Sequence, residues 1–553
     1  MKNRAYKLMK EWCDTLLRYQ VRTNTPYTDG GLLCPACHVI HGRIADLCFP
    51  FTVIWDRTGD ERYLEEADRL IDWSEYNLQT PDKLWYNDIT NRWYATSAFS
   101  AMSIGEALYH FGDKLPEKYR EKWLAIFKRM CDVFTTLDTR ESFKPVNNYY
   151  CGLSAVLAMA WRLTDDAQYL EKTKHWLDTA LSRFDKEGLL YGEAHFLQCE
   201  DGSHTIDMGY DLEESIPLLL RYASLTGDRM EFFKERLLDH LAFLLPDGAI
   251  DNSFGVRHNK WTYWGSRTSD GVIEGLALVL DDPVCASACE KVLSLYEKCT
   301  HDGLLAMPMA HESGEPTCLH HTFTHAKALA SLVCSDTVPA EGGVLPCEEK
   351  KGIKCYQNGK LFTVSLGKVR ATFNASQGSS ASHHTANAGG SMNLLYHFDY
   401  GILCAATTAL YFPTEPLNQQ YLRHAPDPEC MTAQFVVNGS MACTDKSVSI
   451  CSGERSVKAT ARLWEAEYLF GEEELTVLLS CKDGVYNLPL VCSKNEKVTL
   501  SDDGKILTAG KLTLCSTEPL ICDTEKRVFH QVGGLSYLPV SVKVVGNTTL
   551  RIK

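Results

Sequence analysis

No stretch of the 553 residues approaches the roughly 18 apolar residues in a row that a membrane span requires, so no membrane is expected as a partner. An apolar run of signal-peptide type is missing from the start as well. MKNRAYKLMKEWCDTLLRYQV reads instead as an amphipathic helix (Leu8, Trp12, Leu16, Leu17), and the expected residence is cytoplasmic. Excess positive charge is absent: 56 Lys and Arg face 71 Asp and Glu, a formal charge of −15, which argues against nucleic acid or an anionic bilayer. An acidic whole does not exclude an anionic ligand, which feels the field of its own pocket. The 22 cysteines are scattered, and the chain is too long to need a disulfide framework. A second CxxC pair is missing too. Cys34-Pro35-Ala36-Cys37 beside His38 has half of a zinc spacing, and its cysteines are expected as plain thiols.

What remains is an ordinary globular composition, 45% hydrophobic and 23% charged, long enough for two to four domains. Residues 1–335 follow a helical period and carry a weak repeat. Thr58-Gly59-Asp60, Gly112-Asp113, Thr164-Asp165-Asp166, Thr226-Gly227-Asp228 and Asp281-Asp282-Pro283 each precede a fresh amphipathic segment. Each reads as a helix stop followed by an acidic cap, spaced as one helical hairpin per unit. Five or six such hairpins closing on themselves make an α/α toroid; an open solenoid fits the long, polar and aromatic loops less well. From residue 336 the texture changes to short alternating runs, including KCYQNGKLFTVSLG with its Asn358-Gly359 turn. The expected architecture is α+β multidomain: an N-terminal (α/α) toroid over 1–335 and a C-terminal antiparallel β-sandwich over 336–553.

Four constellations in the helical half carry chemistry. His41-Gly42-Arg43 follows a turn-rich segment, and Asn147-Asn148-Tyr149-Tyr150 opens a helix of small residues. DGSHTIDMGYDLEESIPLLLRY (Asp201–Tyr222) sets His204, Asp207 and Tyr210 on a loop at the mouth of a buried helix. A histidine and a tyrosine six positions apart can converge on one carbon, one taking a proton and the other giving one; the plain alternative is a surface histidine and a helix staple. The fourth, Asp251–Asp270, is dense in Arg257, His258, Trp261, Tyr263 and Arg267, and reads either as a sugar- and anion-binding surface or as a loop capping the toroid.

An asparagine pair opening a helix, then DGS with a His and a Tyr, then an arginine-rich aromatic loop, resembles the α/α-toroid polysaccharide lyases of the heparinase II/III, alginate lyase and chondroitin AC lyase groups. Ser382-His383-His384-Thr385-Ala386-Asn387 and SMNLLYHFDYG resemble the heparinase II/III C-terminal domain. The alginate-lyase pattern has a histidine after its asparagines, where this chain has Tyr149. HGR and WGSRTSDG suggest a separate branch, near lyases that release rhamnose from glucuronate.

The resemblance implies β-elimination on a uronic-acid oligosaccharide. Asn147 or Asn148 would bind the uronate carboxylate, with Arg257 or Arg267 adding charge, and either Tyr210 or His204 would remove the C5 proton while the other protonates the leaving oxygen. His41 is a third candidate for either role. Arg43, Tyr150, His258, Trp261 and Tyr263 would line the substrate. The rival reading is an inverting glycoside hydrolase using two of Asp88, Glu193, Glu213 and Asp270, although Glu213 and Glu214 read as acids favoured by a helix N-terminus. An epimerase leaves the β domain unexplained, and a glycan-binding protein leaves the catalytic residue types unexplained. No cofactor is expected to be required. A structural metal is expected, if any, in the β domain at His383 and His384 with His397 and Asp399 near them, and an oligomer is left open.

Overall fold

The computed structural model describes residues 1–137, 146–193, 197–199, 201–256, 270–376, 387–407, 430–530 and 533–553. Its helices fall into two kinds. Arg62–Asn77, Glu117–Thr136, Ala167–Leu181 and Lys2–Leu17 bury a single apolar stripe each. Ser97–Phe111, Asn147–Thr164, Ile216–Thr226 and Leu319–Cys334 are buried nearly all round. The first kind can only be an outer layer and the second an inner one. The contacts agree: the inner helices Cys48–Thr58, Ser97–Phe111, Asn147–Thr164, Ile216–Thr226, Ile273–Leu276 and Leu319–Cys334 each touch the next, and the last returns to the first. Lys2–Leu17 packs on Leu319–Cys334 and closes the ring into a toroid.

Alternation of inner and outer helices runs the inner ones in one direction. The turns after them are short, as at Gly59 and Gly227, both in the left-handed conformation that ends a helix. Acidic capping of the next helix is real at Asp166 and Asp282, whose side chains accept backbone N–H groups. It fails at Asp113, because that helix starts only at Glu117 behind Pro116. The long connections all precede inner helices, so their residues gather at one mouth, where the positive ends of the inner helices point.

The strands begin at Gly352. Five of them (Gly352–Tyr356, Leu361–Leu366, Val369–Asn374, Ser391–His397, Gly401–Ala405) form an antiparallel meander whose first turn uses Asn358 and Gly359 at positive φ. Its inner face (Val364, Phe373, Leu395) shares a core with an eleven-stranded sheet (Val457, Tyr468, Val477, Val544), giving the β-sandwich. The other face of the meander packs on the toroid, and Tyr356, Leu361, Leu394 and Tyr396 belong to the helical core. Among the described residues no helix is long and apolar enough to cross a membrane.

Candidate active site

The segment from Met208 to Thr226 is helical throughout, but Asp211–Ser215 adopts a π turn. Asp207 starts it by accepting the Tyr210 N–H at 3.2 Å, and Asn252 holds the same carboxylate. Tyr210 is therefore in a first helical turn, not on a loop. Glu213 and Glu214 are not at the N-terminus either, since the helix has already run five residues before them. The wide turn packs Asp211, Glu213 and Glu214 all inside, each 2% exposed or less. Such turns inside α-helices are often tied to function.

Around it lies a network of buried charge. Gly42 is required because a side chain there would meet the Asn87 carbonyl at 1.8 Å. Arg43 beside it sits at φ +60°, an uncommon conformation for any residue but glycine. Its guanidinium binds Asp46 at 2.7 Å and Asp270, lies over the Phe99 ring, and comes within 3.8 Å of Glu214. Lys327 binds the other Asp270 oxygen and stands 3.8 Å from Glu274. The two cations are thus matched by Asp46 and Asp270, and two carboxyls are left over. Burial works against charge on Asp270, but Arg43 and Lys327 outweigh it and hold its carboxyl below the usual range. Burial, reinforced by Asp270, pushes Glu214 up to about 8. Burial also pushes Glu274 to about 7. Asp211, buried among Glu193 and Asp207, is raised well above a normal carboxyl. The cluster balances by keeping its surplus acids protonated near neutrality.

Asn148 donates its amide to Glu214 at 2.6 Å, which joins the asparagine pair to the π turn. Asn147 is fully buried, yet neither atom of its side-chain amide has a hydrogen-bond partner among the described residues. Its backbone N–H bonds to Gly192 at 3.0 Å, and the Gly192 N–H bonds to Thr205 at 2.9 Å. The strand carrying His204 therefore runs beside the start of the Asn147 helix. The His204 ring stacks on Tyr191 at 4.0 Å, is half-buried, and is lowered in pKa by that burial. Its backbone N–H is held at 2.8 Å by Gln357 of the β domain, and Ser203 bonds to Ser376 there at 2.6 Å.

The structure thus brings Arg43, Asn147, Asn148, His204 and Tyr210 to one mouth of the toroid. Tyr150 faces Trp176 and the Arg183 guanidinium, at 6.1 and 4.5 Å from its ring. Both ring nitrogens of His41 are engaged, Nε2 with Cys318 Sγ at 3.4 Å and Nδ1 with Asp88 at 3.8 Å. The carboxylates of a hydrolase are engaged as well: Asp88 accepts the Gly42 N–H, Glu193 the Ser215 hydroxyl, Glu213 faces His325, and Asp270 holds two cations. Arg257, His258, Trp261, Tyr263, Arg267, His383 and His384 lie outside the described residues. His397 is stacked on Tyr400 and accepts the Asp399 N–H on Nδ1, while Asp399 pairs with Lys368. Among the described residues, Cys34, Cys37, His41 and Cys318 have one ligand atom each within 4.8 Å of the others.

Sequence reading missed Asp46, Glu214, Glu274 and Lys327 as members of the cluster. The available signal was charge inside apolar context: Lys327 in THAKALASL, and DLEES running directly into IPLLL.

Residues 9–342 match the ulvan lyase N-terminal domain, and residues 353–445 match the ulvan lyase C-terminal domain. The chain is similar to a broad-specificity ulvan lyase of Formosa agariphila, 31% identical over 98% of this chain and 92% of that protein. Among solved structures it is similar to heparinase III (TM-score 0.54, 11% identical, 91% of this chain and 75% of that one). It is also similar to the Streptomyces coelicolor A3 chondroitin AC lyase (TM-score 0.54, 11% identical, 100% of this chain and 79% of that one). At these identities the two structures bear on the fold alone.

Proposed function

The chain belongs to the ulvan lyase family and is a carbon–oxygen lyase acting on polysaccharides, and from that premise we propose that it cleaves a rhamnosyl-glucuronate glycan by β-elimination at the toroid mouth. The observation that carries this reading is the Asn147 amide, which has no hydrogen-bond partner among the described residues. A buried amide without a partner costs about 1–3 kcal/mol, which a ligand recovers by bonding to it. A uronate carboxylate suits that role. The inner helices direct their positive ends at the same mouth, which favours an anion. Asn148 stands next to it with its amide N–H donated to the Glu214 carboxyl, and the C5 proton becomes acidic as the uronate carboxylate is neutralised.

Burial lowers the His204 pKa, so at neutral pH its imidazole is uncharged and can accept a proton. The Tyr210 phenol carries a proton to give. We therefore assign His204 to the C5 proton and Tyr210 to the leaving oxygen at C4. Electrons of the broken C5–H bond form the C4=C5 double bond, and the departing oxygen takes the Tyr210 proton. Tyr191 fixes the histidine ring from one face, and Gln357 fixes its backbone from the β domain, which gives the sandwich a part in the chemistry. The rhamnosyl-glucuronate assignment draws on the HGR and WGSRTSDG motifs.

The test is a panel of glucuronate-containing oligosaccharides, with and without rhamnose at C4, followed by ultraviolet absorbance of the conjugated product and by mass. Absorbance that grows only with rhamnosylated uronates is expected. Absence of any unsaturated product across the panel, with the protein folded, would overturn the reading.

A further inference from the structure

The mouth carries a second cluster that the elimination does not use. Cys34-Pro35-Ala36-Cys37-His38 makes a tight turn: the His38 N–H bonds to the Cys34 carbonyl at 2.9 Å, and His38 takes φ +55°. Cys34 N–H then pairs with Val39, and Leu33 bridges Ile40, so the segment is a small hairpin with both sulfurs at its tip. The Cys37 N–H points at Cys34 Sγ at 3.4 Å, a contact that favours a thiolate. His41 and Cys318 complete the group from the hairpin's far end and from a helix start 281 residues beyond Cys37.

We propose that Cys34, Cys37, His41 and Cys318 bind one zinc ion in a closed tetrahedral site. Cys37 Sγ lies 3.6 Å from Cys318 Sγ, and Cys318 Sγ lies 3.4 Å from His41 Nε2. Zn–S and Zn–N bonds of about 2.3 and 2.0 Å give tetrahedral edges of about 3.7 and 3.5 Å. The sulfurs are too far apart for disulfides, which need about 2.05 Å. Three thiolates and an imidazole select a soft or borderline ion, and four protein ligands leave no position for substrate, so the site is structural. His41, Cys34 and Cys318 are buried and Cys37 is half-buried. Asp88 stands at 3.8 Å from the opposite ring nitrogen of His41 and also accepts the Gly42 N–H at 3.2 Å. That carboxylate holds the imidazole with Nε2 toward the sulfurs, the usual outer support of a metal-bound histidine. Binding releases the thiol protons and forms three Zn–S bonds and one Zn–N bond, with no change of oxidation state.

Its effect follows from what the ligands are attached to. His41 is two residues before Arg43, and Cys318 caps the helix that carries His325 and Lys327. The ion would staple the loop before the first inner helix to the start of the last, where the ring closes. It would hold Arg43 and Lys327 on either side of Asp270. This makes His41 a structural ligand and not a proton carrier.

The test is elemental analysis of protein produced in zinc-supplemented medium and dialysed against metal-free buffer. One zinc per chain is expected for the wild type, falling toward zero in Cys37→Ser while the remote, exposed Cys355→Ser keeps it. Because Cys37→Ser could fail to fold, the wild type alone supplies a second readout. Replacement by cobalt(II) should give intense thiolate-to-metal charge transfer with tetrahedral visible bands. Zinc-free wild type without cobalt bands, a disulfide among these three cysteines by mass, or full zinc retention in folded Cys37→Ser would each overturn the site. None of these readouts depends on the substrate, so the elimination reading stands or falls separately.

Discussion

The two cores of this protein are built on opposite principles. In the β-sandwich, Leu475–Asn487 and Val540–Ile552 alternate buried and exposed residues almost without interruption, and the polar pair at its centre, Tyr468 and Tyr486, is self-satisfied through one hydroxyl contact of 2.9 Å. In the toroid, the centre holds Arg43, Lys327, Asp46, Asp270, Glu214 and Glu274, and beside them Asn147 has no side-chain partner among the described residues. Well-packed apolar residues in their place would often be as stable or more so. A fold tolerates such a centre where binding and catalysis need it, and keeps its own stability elsewhere. Through Gln357 and Ser376 the sandwich grips the His204 loop.

Four perturbations break or sharpen that contrast, in falling order of effect. Arg43→Ala leaves Asp46 and Asp270 short of a cation, and should cost about 3–5 kcal/mol of stability by denaturant unfolding. A loss below about 1 kcal/mol would mean that the cluster is not an ion-paired unit. Tyr210→Phe should reduce turnover by at least about 10²-fold with an unchanged unfolding midpoint, since it removes a proton and little packing. Near-normal turnover would take Tyr210 out of the chemistry.

Third is pH. Glu214 is raised in the fold from 4.5 to about 8, so the folded state holds its proton more tightly than the unfolded chain. The stability it contributes is complete below pH 4.5 and is lost as pH rises through about 8. One such group gives a slope of at most about 1.4 kcal/mol per pH unit. Glu214→Gln imitates the protonated acid and should flatten this fall; a slope identical to wild type would show that Glu214 ionises freely. The smallest effect is expected from Tyr486→Phe in the sandwich, about 0.5–1.5 kcal/mol of stability and no change in turnover. A kinetic defect there as large as that of Tyr210→Phe would erase the distinction between the two cores.

The same contrast decides what could be read from the sequence. Alternation in the strands and the one-sided stripes of Arg62–Asn77 or Glu117–Thr136 reflect burial against a single neighbour, which a local pattern records. Asn147, Asn148, Arg43, His204 and Tyr210 stood out because polar and aromatic groups interrupted those patterns. The π turn did not, since Glu213 and Glu214 after a turn look like acids at a helix start; only Asp207, capping the helix from the Tyr210 N–H, reveals that the helix began earlier. Lys327 and His325 carry no local signal of their roles, because their partners Glu213, Asp270 and Glu274 lie far away in the chain. Cys318 was invisible as a partner of Cys34 and Cys37, because ring closure, not sequence spacing, brings it there.

The central claim, elimination at the toroid mouth, is tested most directly by running the reaction in ¹⁸O-labelled water and weighing the products. Elimination breaks the bond between C4 and the leaving oxygen without consuming water. The account predicts no solvent oxygen incorporated at cleavage and an unsaturated product lighter by one water than its saturated equivalent. Stoichiometric ¹⁸O at a new reducing end, with no double bond formed, would contradict it.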